Sequence, residues 1–156
     1  MNMERIVNCA LAITVLLVPA SAIGQDAGEA SAVKAVNAAF DAALSRRDIA
    51  AIDAAWIKDP AATAIHPSSK SVVAGWEAVR KSWEGAFAAF PELSVEMKDP
   101  HLRLIGNVAV VTGIESVRGK RPGGEAVEFQ AMTTNVFERR DGTWLMIHHQ
   151  ASRAPQ

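Results

Sequence analysis

Asp141-Gly142 constrains this chain more than any other pair, because it separates two runs rich in β-branched and aromatic residues, TTNVFERR and TWLMIHHQ. An Asp-Gly pair between such runs is a strong hairpin signal, since both central residues of the tight turn need positive φ. A two-residue turn predicts Arg140 opposite Thr143, Arg139 opposite Trp144 and Phe137 opposite Met146. Carried further, it predicts Asn135 opposite His148 and Thr133 opposite Gln150. Side chains alternate along a strand, so these residues share one face. That face mixes aromatics with amides and an imidazole and suits a pocket wall. The other carries Thr134, Val136 and Glu138 against His149, Ile147 and Leu145, and suits packing or a subunit interface. A slip of one residue exchanges the two roles.

The chain opens on an address. Arg5 precedes an apolar run from Ile6 to Val18, and Pro19-Ala20-Ser21-Ala22 then supplies small residues in an A-x-A arrangement. This is the layout of a secretory signal peptide over residues 1–22, cleaved after Ala22. A run this short falls below the ~20 residues a bilayer span needs, so no membrane anchor is expected after cleavage. The expected location is periplasmic or secreted. Cys9, the only cysteine, leaves with the leader, so the mature chain has no disulfide, thiol nucleophile or cysteine metal site.

About 134 residues remain, near the modal size of one domain. Net charge is −1 with both signs interspersed, so nucleic acid is not an expected partner. Residues 23–30 read as a flexible linker and 31–153 as the domain. From Glu29 to Arg47, Val33, Val36, Phe40 and Leu44 recur at helical spacing. Asp48 caps a second helix bearing Ile49, Ile52 and Trp56, which Asp59-Pro60 stops. Two short strands follow, Ala61 to His66 and Ser71 to Ala74, then a third helix from Trp76 to Phe90. After Pro91 the pattern is that of strands: Leu93 to Met97, His101 to Ile105, Val108 to Val117, Ala126 to Arg139 and the closing hairpin strand. Gly113 is a plausible bend. The expected fold is α+β, with three N-terminal helices packed on a strongly bent antiparallel sheet.

The stretches AIHPSSKSVVAGWEAVRKSW and TTNVFERRDGTWLMIHHQAS, in this order of elements, resemble the SnoaL-like (SnoaL_3 or DUF4440-type) branch of the NTF2-like superfamily. The resemblance runs from about Ala32 to Ser152 and implies a cone enclosing a pocket. It does not fix a reaction, since the superfamily includes ketosteroid isomerases, polyketide cyclases, dehydratases and domains that only bind or dimerise. The isomerase pattern uses an aspartate base, a tyrosine and a protonated aspartic acid. By motif these fall on His66, Phe40 and Asn135, so all three differ and an isomerase of that type is not expected.

What remains is chemically usable. His66 has the unperturbed pKa of a base near neutrality, about 6.5. The Asn135 amide is placed to donate to an oxyanion and His148 to donate or relay a proton. This trio suits proton abstraction, cyclisation or dehydration on an apolar carbonyl compound. The plain alternative is that His66 ends a strand while Asn135 and His148 satisfy each other across the sheet. Phe40, Trp56, Trp83, Phe137, Trp144, Met146 and Gln150 are the expected ligand contacts. The partner is then a small hydrophobic molecule, bound with or without turnover. A homodimer through the outer face is expected, or a dimerising interaction domain with a vestigial cavity. No cofactor is expected, and the four histidines lack H-x-H or H-x-x-x-H spacing, so no metal either. Glu115 and Glu128 could reach a cavity, but solvated strand faces are the usual home of such carboxylates.

Overall fold

A computed structural model describes residues 20–155 of the chain, with side chains from Asp26 onward. The apolar leader run, Ile6 to Val18, lies outside the described residues. Helix α1 (Ala20–Arg46) is followed by α2 (Ile49–Ala55), β1 (Thr63–Ile65), β2 (Val73–Ala74) and α3 (Trp76–Ala89). Four long strands complete the chain: β3 (Glu92–Ile105), β4 (Val108–Lys120), β5 (Ala126–Arg140) and β6 (Thr143–Arg153). They form one six-stranded sheet in the order β2-β1-β6-β5-β4-β3. The sheet is mixed, because β1 runs parallel to β6 while every other pair is antiparallel. The expected all-antiparallel sheet is corrected at this one joint, where the helix pair returns the chain to the hairpin's free edge. No helix among the described residues is long and apolar enough to cross a membrane.

Val33, Asn37, Phe40 and Leu44 share one face of α1 and are buried against the sheet. That helix begins earlier than the sequence suggested and runs through residues 23–30, the expected linker. Glu29 fixes it there by accepting from Trp144 Nε1 at 2.7 Å and pairing with Arg139. Asp48 caps α2 by accepting from Ala51 N at 3.0 Å. Two α1 side chains also cover the free edge of β3. Ser45 Oγ accepts from Val95 N at 2.9 Å, and Asp41 Oδ2 accepts from Met97 N at 3.0 Å. Edge N–H groups that would otherwise invite another strand are thereby used up inside the domain.

Two bulges shape the sheet. In β3, Asp99 (φ +47°) and Pro100 sit between Lys98 and His101, so one 14-residue strand replaces the two expected segments. Proline has no N–H for the ladder, which is why it is tolerated at the bulge. The second bulge lies in β6. Its turn is as expected, with φ of +50° at Asp141 and +80° at Gly142, and Phe137 does face Met146. The register then shifts, so that Val136 pairs with His148 and Asn135 with His149. Ile147 is the extra residue. Parity past it is inverted: His149, Ala151 and Arg153 join the inner face, whereas the expected Asn135–His148 and Thr133–Gln150 pairs do not form.

Gly113 lies opposite the β3 bulge, and a Cβ there would meet Met97 Cγ and Sδ at 2.8 Å. Gly113→Ala is expected to cost about 1–3 kcal/mol of unfolding free energy through overpacking, read from urea titration. An unchanged midpoint would show that Met97 moves aside freely.

Candidate functional site

The inverted parity of β6 meets the inner faces of β4 and β5 and the buried side of α3 around one cavity of about 340 Å³. Its wall is mostly apolar: Leu44, Trp83, Ala86, Phe90, Val95 and Val117 are representative. Few polar groups reach it, chiefly His66, Ser82, Glu115, His149 and, at the outer end of β6, Arg153. An apolar concavity with a few convergent polar groups is the usual form of a small-molecule site.

His66 directly follows β1, and its ring stands edge-on to Trp83, centroids 4.4 Å apart. Ser82 Oγ donates to the Val79 carbonyl at 2.6 Å, so it accepts from His66 Nε2–H at 2.8 Å. Nδ1 is then the basic nitrogen of His66. Burial lowers the pKa of this imidazole, which is neutral at neutral pH.

His149 belongs to a buried chain of amides. Its Nδ1 lies 2.7 Å from Asn135 Oδ1, and Asn135 Nδ2 donates to Asn37 Oδ1 at 2.8 Å. Since an amide oxygen only accepts, His149 carries its proton on Nδ1, and Nε2 is left as an acceptor. Burial, reinforced by His66 and His148, drives its pKa down to about 3. The imidazole is therefore held neutral as part of the wall.

Glu115 projects from the inner face of β4 and is only 3% exposed. Burial pushes its carboxyl up to about 8, and the Asp41 carboxylate adds to the rise. Neither Glu115 Oε1 nor Thr133 Oγ1 has a hydrogen-bond partner among the described residues. Asp41 is pushed up to about 6 by burial, against the Met97 N–H that favours its charge, with Glu96 adding to the rise. At neutral pH Glu115 is thus mainly a carboxylic acid, able to donate a proton. Among the described residues, no group of three His, Cys, Asp or Glu side chains could hold a metal ion.

The structure brings His66 and Trp83 to the cavity. Asn135 is fully buried and acts on the site through His149. His148 does not reach the cavity; the bulge turns it toward Thr63 Oγ1, 2.7 Å from its Nδ1. Phe40 supports the wall, its ring centroid 5.6 Å from Trp83 and 5.5 Å from His149. Trp56, Phe137, Trp144 and Met146 are buried in the core and do not line this cavity. Gln150 faces the opposite side of the sheet beside Met132 and Thr134, where its Nε2 donates to Ser152 Oγ. Sequence reasoning favoured a solvated face for Glu115, put His149 on the packing face and gave Arg153 no role. Glu115 had a signal: Ala109, Val111, Gly113 and Val117 alternate with it on one face, so a lone carboxylate sat in an inward row.

The SnoaL-like domain family matches residues 33–156. The chain belongs to this family. No curated protein sequence matches it. Among solved structures it is similar to a candidate dehydratase of the NTF2-like family from Streptomyces avermitilis, at 24% identity and TM-score 0.77, covering 83% of this chain and 99% of that one. A candidate scytalone dehydratase from Novosphingobium aromaticivorans has TM-score 0.76 at 12% identity, over 85% and 89% of the two chains. The hub homology domain of CamKII from Chlamydomonas reinhardtii has TM-score 0.65 at 25% identity, over 81% and 99%. The likeness to the two dehydratase candidates is one of fold.

The buried acid has a consequence for stability. A carboxyl whose folded pKa is raised binds its proton in the folded state after the unfolded chain has released it, so stability falls as pH rises through that interval. Above about pH 7.5 the unfolded histidines, which release their proton near 6.5, and Asp41 no longer differ between states, and Glu115 carries the slope up to about pH 9. Between these pH values the wild-type protein is expected to lose roughly 1 kcal/mol. Glu115→Gln should flatten the loss in thermal or urea unfolding. An equal slope in that variant would place the titrating group elsewhere.

Proposed function

We propose that this SnoaL-like domain abstracts a proton next to the carbonyl of a small, mostly apolar compound, the step common to isomerisation, cyclisation and dehydration. The observation that carries this reading is the pairing, in one apolar cavity, of a neutral imidazole at His66 with a protonated carboxylic acid at Glu115. His66 Nδ1 takes the proton from carbon, and the electron pair moves into the carbonyl, whose oxygen gains charge. Glu115 stabilises that oxygen by donating its hydrogen bond, in surroundings where water does not compete. The His66 imidazolium then returns the proton to another carbon, or to a departing hydroxyl in a dehydration. His149, locked by Asn135, offers an acceptor to a ligand hydroxyl and fixes the ligand's orientation. The fold likeness to two dehydratase candidates is compatible with this chemistry. Export is part of the proposal and rests on Arg5, the Ile6–Val18 run and the A-x-A residues before Ile23.

A second reading, self-association through the outer sheet face, is favoured by the hub-domain likeness and by Ile114 and Met132, which are 42% and 47% exposed. It is compatible with the first, since that face is opposite the cavity.

Proton abstraction can be tested without knowing the substrate. The mature protein is incubated in D₂O with a panel of cyclic and aryl ketones, and deuterium entering the α-carbon is followed by NMR. Catalysed exchange is expected for part of the panel, reduced roughly 100-fold or more in His66→Ala. Its pH profile should rise below pH 6.5 as His66 deprotonates and fall near pH 8 as Glu115 ionises. Glu115→Gln should slow exchange and remove the falling limb. Ketones that bind without exchanging would leave a binding protein in place of an enzyme.

A further inference from the structure

The cavity's outer end carries a charge that the proton-transfer chemistry does not use. Past the Ile147 bulge, alternation turns His149, Ala151 and Arg153 to the same inner face, and all three line the cavity. Arg153 is the last residue of β6, and its guanidinium carbon sits 4.0 Å from the centroid of the Phe129 ring, itself part of the cavity wall. Stacking of this kind holds a guanidinium in place and leaves its edge donors free.

Arg80, Arg118, Arg121, Arg139 and Arg140 each pair with an acid. Among the described residues, Arg153 has no carboxylate oxygen within salt-bridge distance. Arg121 also approaches the rim, 5.8 Å over the Phe90 ring, but it is engaged with Glu125 at 3.3 Å. Glu115, the only carboxyl among the described residues that line the cavity, is buried in its wall. The cavity therefore presents a fixed cation at its mouth and an apolar body behind it.

We propose that the mouth is an anion site, at which Arg153 pairs with a carboxylate on the outer end of an otherwise apolar ligand. A guanidinium offers two parallel N–H donors that match a carboxylate, and stacking on Phe129 lowers the cost of ordering it. The inference rests on the proposed carbonyl chemistry for the inner end and adds the ligand class, an apolar keto acid. The carboxylate stays at the mouth while the carbonyl reaches Glu115. The partly exposed pair excludes uncharged isosteres only modestly, so Arg153 sets preference and orientation rather than the reaction.

Two dyes differing only in an anionic group test this. One is 8-anilinonaphthalene-1-sulfonate, whose sulfonate stands in for the carboxylate, and the other is its uncharged congener, N-phenyl-1-naphthylamine. Fluorescence titration of the wild-type protein is expected to show tighter binding of the sulfonate, weakening with added salt. Arg153→Gln should weaken the sulfonate roughly tenfold and leave the neutral dye within about twofold, with Arg153→Lys recovering part of the loss. Ala86→Phe, which fills the cavity, should abolish both, showing that the dyes enter it rather than coat the surface. If Arg153→Gln changes neither dye, or both equally, while Ala86→Phe removes both, the anion site is wrong and the pocket stands. If the wild-type protein binds neither dye, the pocket reading fails along with it.

Discussion

One extra residue in β6 decides which side chains this domain presents to a ligand. Phe137 and Met146 are fixed inward by the tight turn at Asp141-Gly142, and strict alternation from there would bring His148, Gln150 and Ser152 to the inner face. The bulge at Ile147 absorbs one position, and His149, Ala151 and Arg153 take their place. The exchange matters because Asn135, on the neighbouring strand, is completely buried and needs a partner for its amide oxygen. His149 supplies it. The same bulge leaves Ala151, a small side chain, where a larger one would fill the cavity.

The hydrogen-bond chain from Asn37 through Asn135 to His149 satisfies the buried amides and sets a tautomer. Glu115 and Asp41 lie in the same interior with one carboxyl oxygen each left without a partner among the described residues. Such atoms are costly in a core, and proteins retain them where chemistry or a ligand uses them. Burial holds Glu115 protonated and both inner histidines neutral at neutral pH, so the inner part of the cavity carries little net charge. That combination suits a neutral carbonyl whose oxygen gains charge only as the reaction proceeds.

Much of the fold was legible because its signals are local. The Asp48 cap, the apolar stripe of α1 and the Asp141-Gly142 turn each report on a few neighbouring residues. Family resemblance then ordered these elements into three helices on a curved sheet. The bulge had no such signal: Met146-Ile147-His148-His149 contains no glycine, and either register buries one histidine and exposes the other. Parity read outward from a turn fails completely once a single residue is inserted. His148 and Gln150 were therefore placed on the wrong face, while His66 and Trp83, set by the proline after β1 and the period of α3, reached the cavity. The parallel joint between β1 and β6 was hidden for another reason, since pairing across more than 80 residues leaves no trace in a local pattern.

The tautomer of His149 is the most direct measure of whether the bulge builds this site. Long-range ¹H–¹⁵N correlation NMR on labelled protein resolves the protonation of each ring nitrogen. Across pH 5 to 8, His149 is expected to remain neutral, with the proton on Nδ1 and Nε2 bare, because its pKa lies near 3. A His149 that titrates near the ordinary imidazole value, with His148 instead locked in one neutral tautomer, would mean that the strand continues without the bulge and that the cavity is built from the other face.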